Sequence, residues 1–152
     1  MSWSDADLAY MQESLVLAAR AADLGEIPVG AVVVSGDEII GRGHNCSIIE
    51  HDATGHAEVS ALRAAGRQRG NYRLPGSTVY VTLEPCLMCV GAMLHARVGR
   101  LVFGAYDSKA GAAGSVLDLT AERRLNHRIE VNGGVLQPEC AQLLQDFFAT
   151  KR

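Results

Sequence analysis

The sequence predicts a three-layer α/β/α fold, with a mixed five-stranded sheet between two layers of helices. Two apolar segments joined by a short turn near the start of the chain predict a β-hairpin. Strand-like and helix-like segments then alternate to the end of the chain, which is typical of a sheet covered on both faces. The length of 152 residues suits one compact unit, so we expect a single domain over residues 1–152.

The first part of the chain predicts a helix, the hairpin and a second helix. Ser4 is a candidate N-cap, and apolar residues recur at helical spacing behind it until Gly25. A continuous apolar run then predicts a strand, and Gly36 lies in the turn that leads to its partner. A polar loop precedes an alanine-rich helix. The expected elements after the first helix are strands 28–34 and 38–42 and a helix over about 54–67.

The second part of the chain alternates strands and helices. Val79, Val81 and Leu83 alternate with polar residues as in a half-buried strand, and Pro85 then opens a helix. Pro138 marks the start of a closing helix. The expected elements are strand 77–83, helix 85–97, strand 100–104, a short helix 118–125, strand 128–131 and the closing helix.

Composition is typical of a globular protein from a reducing compartment. Hydrophobic residues make up 48%, charged residues 20%, and the mean hydropathy is +0.08. The apolar runs are strand-sized, and no basic region precedes an apolar one at the start, so we expect neither a membrane segment nor a secretory signal. Two of the four cysteines are three positions apart, which favours metal or redox chemistry over disulfides. We therefore expect a cytoplasmic protein.

The charge pattern is ambiguous about a nucleic-acid partner. A net charge of −3 argues against bulk binding of a polyanion. All but two of the fourteen basic residues are arginines, clustered at 63–73, 97–100 and 123–128, and arginine is favoured where phosphate is held in a bidentate manner. A solvated arginine-rich surface explains the same pattern equally well.

Four residues carry the chemistry. His56 and Glu58 lie at the start of one predicted helix, and Cys86 and Cys89 lie at the start of the next. Two thiolates three positions apart share a helical face, and the helix N-terminus favours their ionised form. With one imidazole they provide three zinc ligands and leave the fourth tetrahedral position to water. Coordination lowers the pKa of that water from about 15.7 towards about 7.

Glu58 is two residues from His56, a spacing that does not share a face in the middle of a helix. In the first turn both side chains can flank the helix end, so that one binds the metal while the other lies beside the bound water. A carboxylate there can take a proton from water and deliver it to a ring nitrogen and a leaving amine. Hydrolytic deamination requires these transfers.

Three alternatives compete with this interpretation. The cluster is a closed structural zinc site if one of four residues supplies a fourth ligand; the candidates are His44, Cys46, His95 and Cys140. The Cys-x-x-Cys pair is also compatible with a redox function, although that function has no need of His56 and Glu58. Finally, Glu58 is interpretable as a solvated or capping acid.

The pattern His56-x-Glu58 with Pro85-Cys86-x-x-Cys89 resembles the cytidine-deaminase-like zinc deaminases. Within that superfamily, flanking segments are similar to those of the bacterial tRNA-specific adenosine deaminases; they are residues 28–32, 43–45, 80–89, 91–93, 103–105 and 109–115. The similarity extends from the first helix to Phe148. It implies the cytidine-deaminase-like form of the α/β/α fold.

The resemblance implies hydrolysis of the wobble adenosine of a tRNA anticodon to inosine, with release of ammonia. One zinc ion per subunit would be held by His56, Cys86 and Cys89; hydroxide on the zinc attacks C6 of the flipped-out base while Glu58 shuttles protons. The resemblance also implies a homodimer and a tRNA anticodon stem-loop as partner. Asn45 and the backbone around Ala57 would hold the base, and Val29 would form an apolar wall; these substrate-binding roles compete with a turn residue and with core packing.

The sequence is also compatible with other functions and contacts. The same chemistry fits a free base or nucleoside, and a zinc-stabilised binding module would need no catalysis. Tyr106 and Ser108 lie where the family varies. Further hypothetical RNA contacts are Asp107 and Lys109, the basic residues Arg123, Arg124, Arg128, Lys151 and Arg152, and a stacking role for Phe147 or Phe148, for which core packing is the favoured interpretation. Met88, Met93 and Leu94 are candidate dimer contacts that also suit a core.

Overall fold

A computed structural model describes residues 3–151 of the chain. The helices are α1 (Asp5–Asp23), α2 (Ala57–Arg69), α3 (Leu87–Ala96) and α4 (Gln137–Ala149). The strands are β1 (Gly30–Ser35), β2 (Glu38–His44), β3 (Thr78–Leu83), β4 (Arg100–Ala105) and β5 (Glu130–Gly133). Within this part of the chain, no helix is both long and apolar enough to cross a membrane.

The five strands form one mixed sheet with the order β2-β1-β3-β4-β5. The hairpin strands β1 and β2 are antiparallel, and β1 is also antiparallel to β3. The remaining neighbours, β3 with β4 and β4 with β5, are parallel, as expected where a helix or a long connection returns the chain to the same edge. The prediction of a mixed five-stranded sheet is therefore confirmed.

Helices cover both faces of the sheet because its central strands are apolar on both sides. On β1, Ala31 and Val33 face a core shared with α2 and α3, whereas Val32 and Val34 face a second core shared with α1 and α4. This alternation follows from the two-residue period of a strand, and it explains why the strand sequence is a continuous apolar run. The three-layer α/β/α arrangement is confirmed.

Close packing of α2 against the hairpin fixes the start of that helix. A Cβ added at Gly43 would overlap the carbonyl oxygen of Ala57, and one added at Gly41 would overlap that of Ala61. Glycines on β2 therefore let the helix backbone approach the sheet more closely than any side chain would allow. The first turn of α2, which contains the predicted functional residues, is thereby held directly against the end of β2.

The predicted short helix at 118–125 is wrong, because this segment starts in an isolated β-bridge with Ala113 and continues in turns and irregular backbone. The carboxylate of Asp118 accepts hydrogen bonds from the backbone amide and the hydroxyl of Thr120, at 3.0 and 2.5 Å. Glu122 likewise accepts from the amide of Arg124 at 3.2 Å. These bonds from side chain to nearby backbone offer the chain an alternative to helical hydrogen bonding.

Candidate metal centre

Two predicted ligands occupy the same structural position on neighbouring helices. His56 is the N-cap residue of α2 and Cys86 is the N-cap residue of α3. An N-cap side chain usually accepts a hydrogen bond from the first turn of its own helix. Neither residue does so here, and their side chains turn towards each other instead. The two helix N-termini therefore converge on one point.

Cys89, in the first turn of α3, completes a compact cluster. The Nδ1 atom of His56 lies 3.6 Å from the Sγ atom of Cys86 and 3.5 Å from that of Cys89. The two Sγ atoms are 3.8 Å apart. All four cysteines are free, so this sulfur pair is not a disulfide. The structure brings all three predicted ligands together.

The cluster has the dimensions of a tetrahedral zinc site. With ordinary zinc–sulfur and zinc–nitrogen bond lengths, a tetrahedral ion separates two sulfur ligands by about 3.8 Å and a sulfur from a nitrogen by about 3.6 Å. The three separations in this protein match those values. The cluster consists of His56, Cys86 and Cys89. Within residues 3–151, none of the four candidates for a fourth ligand joins it. The geometry fits an open site better than a closed structural one.

The electrostatics of the Cys86 thiol favour cation binding. A hydrogen bond with Cys89 is the main cause that lowers the pKa of Cys86 to about 3, and the same contact raises the pKa of Cys89. Contact with the Cys86 sulfur also raises the pKa of His56. Negative charge therefore accumulates at Cys86, beside two helix N-termini that carry partial positive charge.

Glu58 lies in the first turn of α2 and is only 4% exposed. Burial raises the pKa of its carboxyl group to about 7, although its own backbone amide and the nearby His56 oppose that shift. It is not one of the cluster's three ligands. A buried carboxyl group beside a cluster of this kind is suited to exchanging protons rather than to capping a helix in solvent.

The three predicted substrate-binding residues form one connected unit beside the cluster. The Oδ1 atom of Asn45 accepts a hydrogen bond from the backbone amide of Ala57 at 2.9 Å. The amide of Asn45 in turn donates to the carbonyl oxygen of Val29 at 3.1 Å. Val29 is 4% exposed and packs in the core between the sheet and α2. The Ala57 amide therefore already donates a hydrogen bond, and the Asn45 side chain caps the N-terminus of α2.

Two further buried acids were not singled out by the sequence. Glu26 accepts hydrogen bonds from the amides of Ile48 and Ile49, at 3.2 and 2.8 Å, and so fixes the loop before α2. Glu84 accepts hydrogen bonds from the loop after β4. Both are 2% exposed. An acid placed directly after a predicted strand and directly before Pro85 was the available signal for Glu84.

The remaining candidates lie in varied surroundings. Phe148 is 47% exposed, so the expectation that it packs in the core is wrong. Met93 is completely buried, so it is a core residue and not a dimer contact on the surface. Arg100 pairs with Asp7 at 2.8 Å. The exposed basic residues include Lys109, Arg123, Arg124, Arg128 and Lys151, while Arg152 lies outside the described residues.

The model of the MafB19-like deaminase family matches residues 5–152, nearly the whole chain.

Individual relatives extend the similarity. A tRNA-specific adenosine deaminase of Haemophilus influenzae is 52% identical over 150 residues, which are 98% of this chain and 87% of the relative. A protein of the same name from Bacillus subtilis is 45% identical over 146 residues, covering 96% and 91% of the two chains. A solved tRNA:A34 deaminase structure, from a study of A-to-I editing at the wobble position of transfer RNA, superposes with a TM-score of 0.87 at 39% identity. The superposition covers 90% of this chain and 99% of the chain in the solved structure.

Proposed function

Because this chain belongs to the tRNA-specific adenosine deaminases, within the MafB19-like deaminase family, we propose that it hydrolyses the wobble adenosine of a tRNA anticodon to inosine. The reaction consumes one water and releases one ammonia for each adenosine. The resemblance found in the sequence is confirmed by relatives that match almost the full chain. The substrate position within the tRNA, the metal and the roles of individual residues are parts of this proposal.

The observation that carries the proposal is the three-ligand cluster with a buried acid beside it. His56, Cys86 and Cys89 would hold one zinc ion, which they fit in both spacing and charge. Zinc bound there would supply the Lewis acidity that makes water a nucleophile at neutral pH. A cluster closed by a fourth protein ligand would have no room for such chemistry.

Glu58 is the proposed proton carrier. Its carboxylate accepts a proton from the attacking water and delivers a proton to N1 of the purine as the water oxygen attacks C6. It then transfers the second proton of the water to the leaving amine, so that ammonia departs and the carboxylate is restored. Its burial keeps bulk water from competing for these protons.

Asn45 is the proposed anchor for the base. Its Oδ1 atom is fixed by the Ala57 amide, so its amide nitrogen is the group left to donate to an acceptor nitrogen of the purine. Val29 is held beside it through a backbone hydrogen bond and would close the pocket with an apolar surface. The Ala57 contribution is then to orient Asn45, while its neighbouring backbone lines the base site.

A homodimer is part of the same proposal, and the open groove between α2 and α3 is the surface that favours it. Val59, Leu62 and Ala92 line the groove, and Tyr72, which is 68% exposed, lies at its rim. A second copy of the chain is the occupant we propose, because an exposed apolar surface of this kind is typical of a subunit contact. Sedimentation should give twice the chain mass, and L62R should give the single-chain mass with its helical content unchanged.

The activity test uses a synthetic anticodon stem-loop with adenosine at the wobble position. Zinc-loaded protein is incubated with it, and the RNA is digested to nucleosides and quantified. We expect inosine to replace adenosine at that one position, and we expect no change in a stem-loop with guanosine there. Adenosine that persists in the presence of zinc-loaded protein would refute the proposal.

The free-base alternative is tested in the same preparation. Ammonia release from adenine, guanine, cytosine and their nucleosides is measured beside the stem-loop reaction. Turnover of a free base at a rate above that of the stem-loop would reassign the substrate while leaving the chemistry intact. A folded protein that acts on neither would be a binding module.

A further inference from the structure

A second buried carboxylate lies two residues before the proposed ligand Cys86. Glu84 is 2% exposed, and no basic side chain forms an ion pair with it among residues 3–151. A buried carboxylate without a counter-charge requires several hydrogen-bond donors to offset its lost hydration. The donors to Glu84 all come from one loop, residues 107–115, which we call the Glu84 loop.

Four hydrogen bonds join the Glu84 loop to this carboxylate. The backbone amide of Asp107 donates to Oε1 at 3.1 Å, and the amides of Ala113 and Ser115 donate to Oε2 at 3.1 and 3.0 Å. The Ser115 hydroxyl also donates to Oε1. The two ends of the loop are thus bound to the two oxygens of one side chain. Only an acceptor without hydrogens satisfies all four donors, which explains why an acid is needed.

The loop packs tightly against the Glu84 carboxylate and is hydrogen-bonded to the backbone beside the proposed metal site. A Cβ added at Gly111 would overlap the Glu84 carboxylate, so glycine is required by close approach at this position. The amide of Ala112 donates to the carbonyl oxygen of Pro85 at 2.8 Å. Pro85 precedes Cys86 directly, and the loop is therefore fixed to the backbone at the start of α3.

The outer surface of this loop is available to a large substrate. Lys109 is exposed, and the flanking residues Tyr106 and Val116 are 53% and 51% exposed. A free purine can reach the cluster without contacting the outer surface of this loop. An RNA loop around a single extruded base would lie against that surface. Hydrogen bonds to Glu84 hold both ends of this loop, and its middle is held by the buried Ala112 and by Ala113, which packs against the core.

We propose that Glu84 is a positioning residue that holds the Glu84 loop as a preformed wall for the RNA beside the reacting base. The proposal rests on the proposed RNA substrate. It assigns Glu84 to substrate binding through the loop, and not to proton transfer or metal binding. Loosening the loop should therefore weaken RNA binding while the chemistry at the cluster continues.

Cleavage by endoproteinase Lys-C measures the loop directly. This protease cuts after lysine, and the chain has two lysines, Lys109 in the loop and Lys151 near the end. A cut inside the folded chain therefore reports exposure of the Glu84 loop alone. We expect E84Q to be cut at Lys109 roughly 10-fold faster than the natural chain, because the amide group of glutamine would oppose the loop's N–H donors.

Kinetics with the anticodon stem-loop supply the second readout. We expect E84Q to raise KM by roughly 10-fold and to lower kcat by less than about 3-fold, with zinc content unchanged. G111A should act in the same direction, because it pushes the loop from the intact carboxylate, and S115A should act more weakly. The matched control is E13Q, which makes the same substitution at an exposed position of α1 on the opposite face of the sheet.

Each outcome decides the proposal. An unchanged rate of cleavage at Lys109 in E84Q and G111A overturns it, as does faster cleavage with an unchanged KM. Loss of zinc together with kcat would instead make Glu84 a support for Cys86, and would also overturn it. If E84Q does not fold, G111A and S115A provide the same readouts. Natural protein that is inactive on the stem-loop refutes the proposed function, whereas Lys-C cleavage still tests the hold of Glu84 on the loop.

Discussion

Among residues 3–151, two clusters of ionisable groups differ in how their charges are paired. One, the Asp7 network, consists of Asp7, Tyr80 and Arg100 and joins α1 to the sheet. The other is the candidate metal centre at the starts of α2 and α3. In the network, Asp7 receives two hydrogen bonds from the Arg100 guanidinium, at 2.8 and 3.0 Å, and one from the Tyr80 hydroxyl at 2.7 Å.

The pKa values of the buried carboxyl groups in the two clusters, Asp7 and Glu58, shift in opposite directions. The Arg100 guanidinium holds the pKa of Asp7 below its usual range, because a bidentate ion pair favours the charged carboxylate. Burial raises the pKa of Glu58 to about 7, because no basic side chain of the cluster other than His56 offsets the lost hydration. An ion-paired carboxylate such as Asp7 therefore stabilises the fold, whereas a carboxyl group whose pKa is raised towards neutrality, such as Glu58, is suited to proton exchange.

Removing a ligand should have the largest effect. We expect C86A to lose its zinc and to lower deaminase activity on the stem-loop to background, because two protein ligands do not hold the ion. Zinc content by atomic absorption and inosine formation check both points. Excess zinc should raise the Tm of the natural chain but not that of C86A. Full zinc content in C86A would break the assignment of this cluster as the metal site.

Removing the proton carrier should separate the metal from the catalysis. We expect E58Q to keep its zinc and its Tm and to lose turnover by about 10²- to 10⁴-fold, the range usual for a general acid–base group. Glutamine keeps the shape of the side chain but cannot accept the proton of water. Single-turnover measurements with saturating stem-loop check the chemical step. Activity within a few-fold of the natural chain would leave Glu58 as a buried structural acid.

Structural features that depend on neighbouring residues were predicted from local sequence patterns. The ligand spacing in Cys86-x-x-Cys89 is set within one helical turn, and the two-residue period of β1 follows from its apolar sequence. The convergence of His56 with these cysteines was expected from the family resemblance and from their common place at helix starts. The helix and strand patterns are short-range, so a single sequence was enough to recognise them, whereas the family resemblance was needed to bring His56 to the cysteines.

Other features depend on contacts between distant segments and were not predictable in this way. Glu84 meets donors that are 23 to 31 positions away, so nothing near it in the sequence indicates a bound loop. Asn45 caps a helix that starts 12 positions later. The segment 118–125 has the composition of a short helix, yet its own side chains bind the backbone in turns. Tertiary contacts decide the first two cases, and local hydrogen bonds from side chains to backbone decide the third.

Breaking the Asp7 network should lower stability and leave chemistry intact. We expect D7N to reduce the free energy of unfolding by about 1 to 3 kcal/mol, because the Arg100 guanidinium loses its ion-pair partner. Arg100 is partly exposed to solvent, so the loss should be smaller than for a fully buried unpaired charge. Urea denaturation checks the value. The control E122Q removes a solvent-screened pair with Arg124 and should cost much less than D7N. Equal losses in the two variants would show that burial adds nothing to the network.

The smallest effect is the pH dependence of that stability difference. The folded pKa of Asp7 lies below the unfolded value of 3.8, so its contribution is fully present above pH 3.8 and is lost as pH falls through the folded pKa. The gap in unfolding free energy between the natural chain and D7N should therefore be constant from pH 7 to pH 5 and should shrink below pH 4. Other carboxyl groups titrate in both proteins, so their effects cancel in the difference. Urea titrations at each pH check this, and a gap that stays constant down to pH 3 would show that Asp7 contributes through hydrogen bonding alone and not through its charge.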